Sequence, residues 1–293
     1  MIKNIIKKFQ IRFFWITLER FPNLFRPSSK PYLSGDTLRN FSDHVFDESK
    51  SIKPNSIRKK DVVFVSSDLI DIFFNTVYKD IKNDFVLITH NSDTNINKRH
   101  LEKIDSRVIH WFAQNLSQQS SKKVSFIPIG LENLRRLKHG RRKWFVNPTN
   151  SKTKNILSSF NEFTNFKERG KINSFFEKNK LVDNKRYDKV ENYFIDLRQY
   201  KFVICPEGNG YDTHRIWESI LLNTFPIFKI SNFTKMLDDE GVPGIYINKW
   251  SELNKYTKED LNEIYQNLLK KNKKDLVFFN FWEDRINNIR NSF

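Results

Sequence analysis

The sequence predicts an α/β chain of two Rossmann-like halves facing each other across a cleft, and three observations carry that prediction. Short apolar runs alternate with helix-like stretches from residue 55 onward, the signature of parallel βαβ units. The 293 residues suffice for two domains at roughly 150 residues each. A basic stretch, Lys138-His139-Gly140-Arg141-Arg142-Lys143, and the turn-like Asn147-Pro148-Thr149-Asn150-Ser151 interrupt the pattern near its middle. Together they place an N-terminal domain at 1–148 and a C-terminal domain at 149–293. Paired halves of this kind bind ligands between them, outside the carboxyl ends of their strands.

The elements follow in chain order. At the start, Ile2, Ile5, Ile6, Phe9 and the run Phe13 to Ile16 are interleaved with Lys3, Lys7, Lys8, Arg12 and Arg20. That run is far shorter than the roughly 20 residues of a membrane-spanning helix, and the basic residues break up what would be the apolar region of a secretory signal. A basic amphipathic segment of this kind either packs on its domain or lies on an anionic membrane surface. Strands are predicted at 62–65, 85–89, 108–111 and 124–128, each a run rich in Val, Ile and Phe. Between the first two, Leu69, Ile70, Phe73, Phe74 and Val77 recur at helical spacing, with Ser66-Ser67-Asp68 as the N-cap. The second half restarts with a strand at 155–160 and a helix over 163–179. A helix at 193–198, a strand at 202–205, a Gly-containing loop and another helix come next. A strand at 225–228, a helix near Met236, a strand at 245–247 and C-terminal helices complete the chain, with Phe278-Phe279-Asn280-Phe281-Trp282 read as a packed helix face.

Composition narrows the class. Twenty-eight Phe and 38% hydrophobic residues exclude a disordered chain, which lacks the apolar groups that offset ordering entropy. The single cysteine, Cys205, excludes an intrachain disulfide framework and a Cys-based metal cluster, and fits a reducing cytoplasm. The balance of 51 Lys+Arg against 34 Asp+Glu gives +17. One alanine and 8 Gly beside abundant Lys, Asn, Ile and Phe are what an AT-rich coding sequence leaves, so basicity alone names no partner. Basic clusters such as Arg135-Arg136 and 138–143 could meet nucleic acid or lipid, but no nucleic-acid fold signature accompanies them and no nucleic-acid partner is expected. The second of these adjoins the linker and can steer an anionic ligand toward the cleft.

The most informative stretch is FVICPEGNGYDTHRIWESILLNTFPIF, residues 202–228. It reads as a buried strand, a loop holding Gly208 and Gly210, and a helix capped by Asp212 or Thr213. Glycines permit positive φ and close approach of a ligand, and free N–H groups at a helix start receive phosphate; a tight strand-to-helix turn explains the same residues. On the helix, Ile216, Trp217, Ile220 and Leu221 share one face, and Arg215 and Glu218, three apart, adjoin on its flank. Arg215 can pair a diphosphate and Glu218 can accept hydrogen bonds from ribose hydroxyls. An intrahelical ion pair on a solvated surface is the other explanation of that spacing.

The run from Cys205-Pro206-Glu207-Gly208-Asn209-Gly210 through Asp212-Thr213-His214-Arg215-Ile216-Trp217-Glu218 to Pro226-Ile227 resembles the donor-site motif of exostosin-like glycosyltransferases. Residues 156–161 resemble the first strand and loop of that donor domain, and Ile127-Pro128-Ile129-Gly130-Leu131-Glu132-Asn133 resembles the end of the acceptor half in bacterial glycan-assembly relatives. Glu207 departs from the pattern, which has Arg or a neutral residue there. The resemblance implies a GT-B fold and a nucleotide-sugar donor held by the C-terminal domain. It implies Arg215 on the diphosphate, Glu218 on the ribose, and Gly208, Asn209 and Gly210 beside sugar or phosphate. Asp212 and Thr213 fall at the helix start, Ser159 in the first-strand loop, and Lys167, Arg169 or Lys171 near the leaving group. It implies no metal and no cofactor beyond the nucleotide-sugar itself, in keeping with the lack of an Asp-x-Asp turn after a strand. The acceptor is then a glycan or a lipid-linked glycan in surface polysaccharide assembly, on a cytoplasmic protein peripheral to the inner face of the plasma membrane.

An acceptor hydroxyl is a poor nucleophile and needs a general base within hydrogen-bond reach. His90, at the end of the 85–89 strand, is one candidate, with Asp93 orienting it; a capping turn at Asn91-Ser92-Asp93 is the alternative. Asp36, in Ser34-Gly35-Asp36-Thr37, is the other candidate, or belongs to a turn and N-cap. No histidine spacing suggests a metal site. A non-catalytic nucleotide- or RNA-binding protein, or a membrane-associated scaffold with a degenerate donor site, is the rival function.

Overall fold

A computed structural model describes residues 25–118, 122–136, 139–146, 148, 151–271 and 273–293. The amphipathic segment 2–16 lies outside the described residues, as does most of the linker turn at 147–151. No helix among the described residues is long and apolar enough to cross a membrane.

Two five-stranded, wholly parallel sheets organise the chain. The first runs β1 (His44–Phe46), β2 (Val62–Ser66), β3 (Phe85–His90), β4 (Val108–Ala113), β5 (Val124–Phe126) in simple sequence order. Every residue of β2, β3 and β4 is buried, because strands covered on both faces need apolar side chains on both. Around them pack α1 (Gly35–Phe41), α2 (Ile70–Thr76) and the short α3 (Lys98–Leu101). The second sheet contains β6 (Lys154–Ser158), β7 (Val182–Asn184), β8 (Tyr200–Ile204), β9 (Phe225–Lys229) and β10 (Ile245–Ile247), in the order β10-β9-β8-β6-β7. Its helices are α4 (Phe166–Arg169), α5 (Val190–Leu197), α6 (His214–Leu221), α7 (Asn232–Asp239) and α8 (Lys258–Lys270), before the last helix, α9 (Phe279–Ser292). The second sheet has the doubly wound order in which successive connections run to opposite sides of the first strand, so β6 and β8 flank a topological switch point, the place where such sheets bind ligands.

Three expectations are corrected here. The helix over 163–179 is broken into a 3-10 turn at Glu162–Asn165, α4, and a second 3-10 turn at Asn173–Phe176. Asn165 caps α4, Gly170 ends it, and Phe163 and Phe166 face solvent, so the apolar residues there do not form one packed stripe. Ser66 stands at the cap position after β2 but makes no capping hydrogen bond; its hydroxyl donates to Asp68 Oδ1. β1 and β7 are additional edge strands of three residues, too short to leave a periodic apolar run.

β8 alternates as a covered strand must. Phe202 and Ile204 join a core on one face with Ile156, Phe225 and Tyr265, while Val203, between them, joins the core on the other. That other face shares a single apolar core with the first sheet, in which Phe194, Trp217 and Leu221 are grouped with Leu33, Phe112 and Trp282. Helix α9 crosses back to the first half: Trp282 stacks edge-on against Phe112 and Phe126, and Phe279 against Phe41. The result is two Rossmann-like units facing each other across a cleft.

Candidate active site

The loop after β8 delivers α6 to the switch point. Ile216, Trp217, Ile220 and Leu221 are buried, as their spacing predicts, which fixes the rotation of the helix. Arg215 and Glu218 are thereby turned into a cavity of about 580 Å³ between the halves. They form no ion pair with each other within 4.0 Å, and the wall they line is not open surface. Thr213 holds the N-cap position of α6 without a side-chain capping bond. Its Oγ1, Arg215 Nε and Glu218 Oε1 are all buried with no hydrogen-bond partner among the described residues. Glu218 is 3% exposed. Burial pushes its pKa up to about 7, against the opposing pull of His214 and Arg215. Ser159, from the loop after β6, lines the same cavity, so five donor-side candidates, Ser159, Arg169, Thr213, Arg215 and Glu218, share one wall system.

The remaining donor-side candidates hold the site rather than face it. Arg169 lies on the cavity wall, yet its guanidinium donates to the carbonyls of Glu207, Pro206 and Asn161 and to Thr164 Oγ1. It is a cation spent on neutral acceptors, with no carboxylate within 4.0 Å among the described residues, so its charge contributes a positive field to the cleft. Lys167 and Lys171 are exposed and stand outside the cavity lining. Gly208 and Gly210 do not adopt positive φ. They are required for close approach of protein instead of ligand: a Cβ at Gly208 would come within 2.9 Å of Arg169 Nη2, and one at Gly210 within 2.5 Å of Asn115 Nδ2. Asp212 does not cap α6. It accepts from Trp217 Nε1 at 2.8 Å and from the Ile129 N–H at 2.7 Å, and its own N–H donates to Asn115 Oδ1, which clamps the donor loop to the first half. Asn209 is exposed and donates to Asp93 Oδ2 at 3.2 Å across the cleft.

A second, polar cavity of about 390 Å³ opens on the first half, lined by His90, Asn91, Asp93, Gln114, Asn133 and Arg136 among others. His90 Nε2 donates to the Pro128 carbonyl at 3.0 Å, and its Nδ1 receives the Asn91 N–H at 2.7 Å. Burial takes its pKa down to about 4, so the ring is neutral with both nitrogens occupied. Asp93 bonds to Asn209 and not to His90, so the expected orienting pair is absent. Asp36 is fully buried in the first turn of α1, where Ser34 is the cap. Its oxygens face Arg135 at 3.0 Å, Arg26 at 3.8 Å and the Asn91 side chain at 3.3 Å, which positions Asn91 and leaves Asp36 behind the cavity wall. Burial still outweighs these cations and raises its pKa.

Two residues that line both cavities, His214 and Glu132, were not singled out as site residues from the sequence, although both stand inside segments that carry the family resemblance. Tyr187 and Tyr193, on the donor-side wall, have no sequence signal at all beyond aromatic character. Among the described residues no group of three or more His, Cys, Asp or Glu side chains is placed to hold a metal ion. No family model matches the chain, and no curated protein matches it. Among solved structures, it is similar to the N-terminal domain of trehalose-6-phosphate phosphatase from Candida albicans, at 11% identity and a TM-score of 0.42 over 81% of this chain and 74% of that one. It is similar also to TarM, at 12% identity and a TM-score of 0.41 over 78% of this chain, and it spans about half of TarM's length, 54%. Both are likenesses of fold at low identity.

Proposed function

We propose that the protein is a glycosyltransferase that moves a sugar from a nucleotide-sugar donor to a hydroxyl of a glycan or lipid-linked acceptor. One observation carries the reading: Thr213 Oγ1, Arg215 Nε and Glu218 Oε1 are buried without hydrogen-bond partners around an uncapped helix start at the switch point. Buried polar atoms are almost always satisfied. An unsatisfied set that combines donors for an anion with a carboxylate acceptor fits a nucleoside diphosphate, whose phosphates meet Arg215 and the α6 N–H groups and whose ribose hydroxyls donate to Glu218.

The reaction is displacement at the anomeric carbon. The acceptor oxygen bonds to that carbon, the bond to the diphosphate breaks, its electron pair leaves with the nucleoside diphosphate, and the hydroxyl proton passes to a base. The positive field of Arg215, Arg169 and the helix start opposes the charge that builds on the leaving group. The polar second cavity, with its carboxamides and Arg136, suits the hydroxyl-rich acceptor. The proposal includes surface-polysaccharide or lipid-linked glycan assembly, a metal-independent step and, through segment 2–16, an anionic membrane surface.

A thermal-shift panel of UDP, GDP, CMP and TDP sugars on wild-type, Arg215→Ala and Glu218→Ala proteins tests it, since a ligand of the native state raises the apparent Tm. One nucleotide class is expected to stabilise the wild type. Each variant is expected to lose about 10- to 100-fold in affinity, the worth of one charge-assisted hydrogen bond, while remaining folded. Unchanged binding in both variants sinks the site, and binding without release of the leaving nucleotide (UDP, GDP, TDP or CMP) from any donor favours the non-catalytic rival.

A further inference from the structure

The donor and acceptor cavities meet at one pair of side chains. His214, the first residue of α6, and Glu132, on the segment after β5, line both cavities, and His214 Nε2 stands 3.7 Å from Glu132 Oε2. His214 Nδ1 lies 2.8 Å from the Gly130 carbonyl. A carbonyl only accepts, so Nδ1 carries the hydrogen and the lone pair of the neutral ring sits on Nε2. The carbonyl is itself fixed: Gly130 has φ +66°, and a Cβ there would come within 2.4 Å of the Leu33 carbonyl oxygen. Glu132 is oriented as well, because Oε1 receives the Asn133 N–H at 3.0 Å and Oε2 is left toward the histidine.

We propose that His214 is the general base of the transfer, accepting the acceptor hydroxyl's proton on Nε2 where the two cavities join, with Glu132 as the positioning residue that steadies the imidazolium. This rests on the glycosyltransferase reading. As the acceptor oxygen bonds to the anomeric carbon, its proton moves to Nε2, and the electron pair of the broken carbon–oxygen bond departs with the nucleoside diphosphate. The new positive charge forms beside the Glu132 carboxylate. The contrast with His90 is chemical: His90 has no nitrogen lone pair left to accept a proton, whereas His214 has one, and it is 28% exposed in its side chain at the junction. The groups facing His214 are Glu132 on the first half, Asp212 and Glu218 on its own segment, and the neutral His90 ring. Burial works to lower its pKa, but Glu132, Glu218, the Gly130 carbonyl and Asp212 together outweigh it and hold the pKa above the ordinary imidazole value.

Two measurements test the assignment. Imidazole nitrogen NMR on the full chain, with the His214 signals identified by their loss in His214→Gln, is expected to show hydrogen on Nδ1 and a titration midpoint that falls in Glu132→Gln. Hydrogen on Nε2 in the neutral ring, or a midpoint that Glu132→Gln leaves in place, overturns the pair. Steady-state release of nucleoside diphosphate from UDP-glucose, UDP-N-acetylglucosamine and GDP-mannose with a panel of sugar acceptors is then compared with UDP and GDP binding. His214→Gln is expected to bind nucleotide within about twofold of wild type but to turn over about 100-fold or more slowly, and Glu132→Gln to move the rising limb of the pH–rate profile to lower pH. A His214→Gln protein that binds nucleotide and turns over like wild type overturns the base. A wild type that binds none of UDP, GDP, CMP and TDP overturns the glycosyltransferase reading instead.

Discussion

Glu218 carries a penalty and a purpose on the same carboxylate. Its burial without a hydrogen-bond partner for Oε1, which has the His139 Nδ1 only at 3.9 Å, disfavours the charged form, which is why its pKa sits at about 7. Because that folded value lies above the ordinary 4.5, the stability linked to Glu218 is fully present below the ordinary value and lost as pH rises through about 7. Glu218→Gln removes the charge at nearly constant shape. The variant is expected to melt with wild type near pH 5 and to exceed it by about 2 °C or more near pH 8. A wild type that melts at or above the variant at the higher pH counters the account. The proposed ribose contact has the opposite demand, since only the ionised carboxylate accepts from both hydroxyls, so nucleotide affinity is expected to weaken as pH falls through about 7. Arg215 and Glu218 are legible in the sequence because a three-residue spacing on a helix is local geometry. The states of the histidines are not, since the carbonyls that fix His90 and His214 come from Pro128 and Gly130, 38 and 84 residues away.

At the scale of elements, the loop between β8 and α6 is a rigid strut. Asp212 binds Ile129 and Asn115 of the first half and Trp217 on α6, so the α6 end of the loop is tied to both halves. An amide in its place must turn its NH₂ toward one N–H donor, either Ile129 or Trp217. Asp212→Asn is therefore expected to cost about 1–3 kcal/mol in urea unfolding, the penalty of one unsatisfied buried group; a loss below about 0.5 kcal/mol would show that the clamp is dispensable. The sequence marks this loop through its glycines and its capping residues, but leaves open whether they serve a ligand or a tight strand-to-helix turn. Their use is decided by Asn115 and Arg169, which only tertiary folding brings within 3 Å of the glycine positions.

For the whole molecule, the order β10-β9-β8-β6-β7 places the switch point, and with it the cavity, at β6 and β8. The core strands of both sheets are readable from apolar runs; the order in which they pair is not, because it depends on which side of β6 the chain returns. The charge of +17 gains a local meaning from Arg135, Arg136, Arg169 and Arg215, all at or beside the cavities. Trp282 is fully buried against Phe112 and Phe126 of the first sheet, although it stands near the end of the chain. Trp282→Ala is expected to destabilise the protein by about 3–5 kcal/mol and, through the shared core, to lower the unfolding midpoint of both halves together in chemical denaturation. Separate transitions for the two halves would contradict a shared core.

That crossing of α9 sets a timetable for synthesis. All five strands of the first sheet have been made once β5 is complete at Phe126, yet the tryptophan that covers β4 and β5 is added much later. At roughly 5–20 residues per second, the uncovered face waits on the order of ten to thirty seconds on the ribosome. A nascent chain of this kind leaves that apolar face of the first sheet without its final cover for about half of its translation.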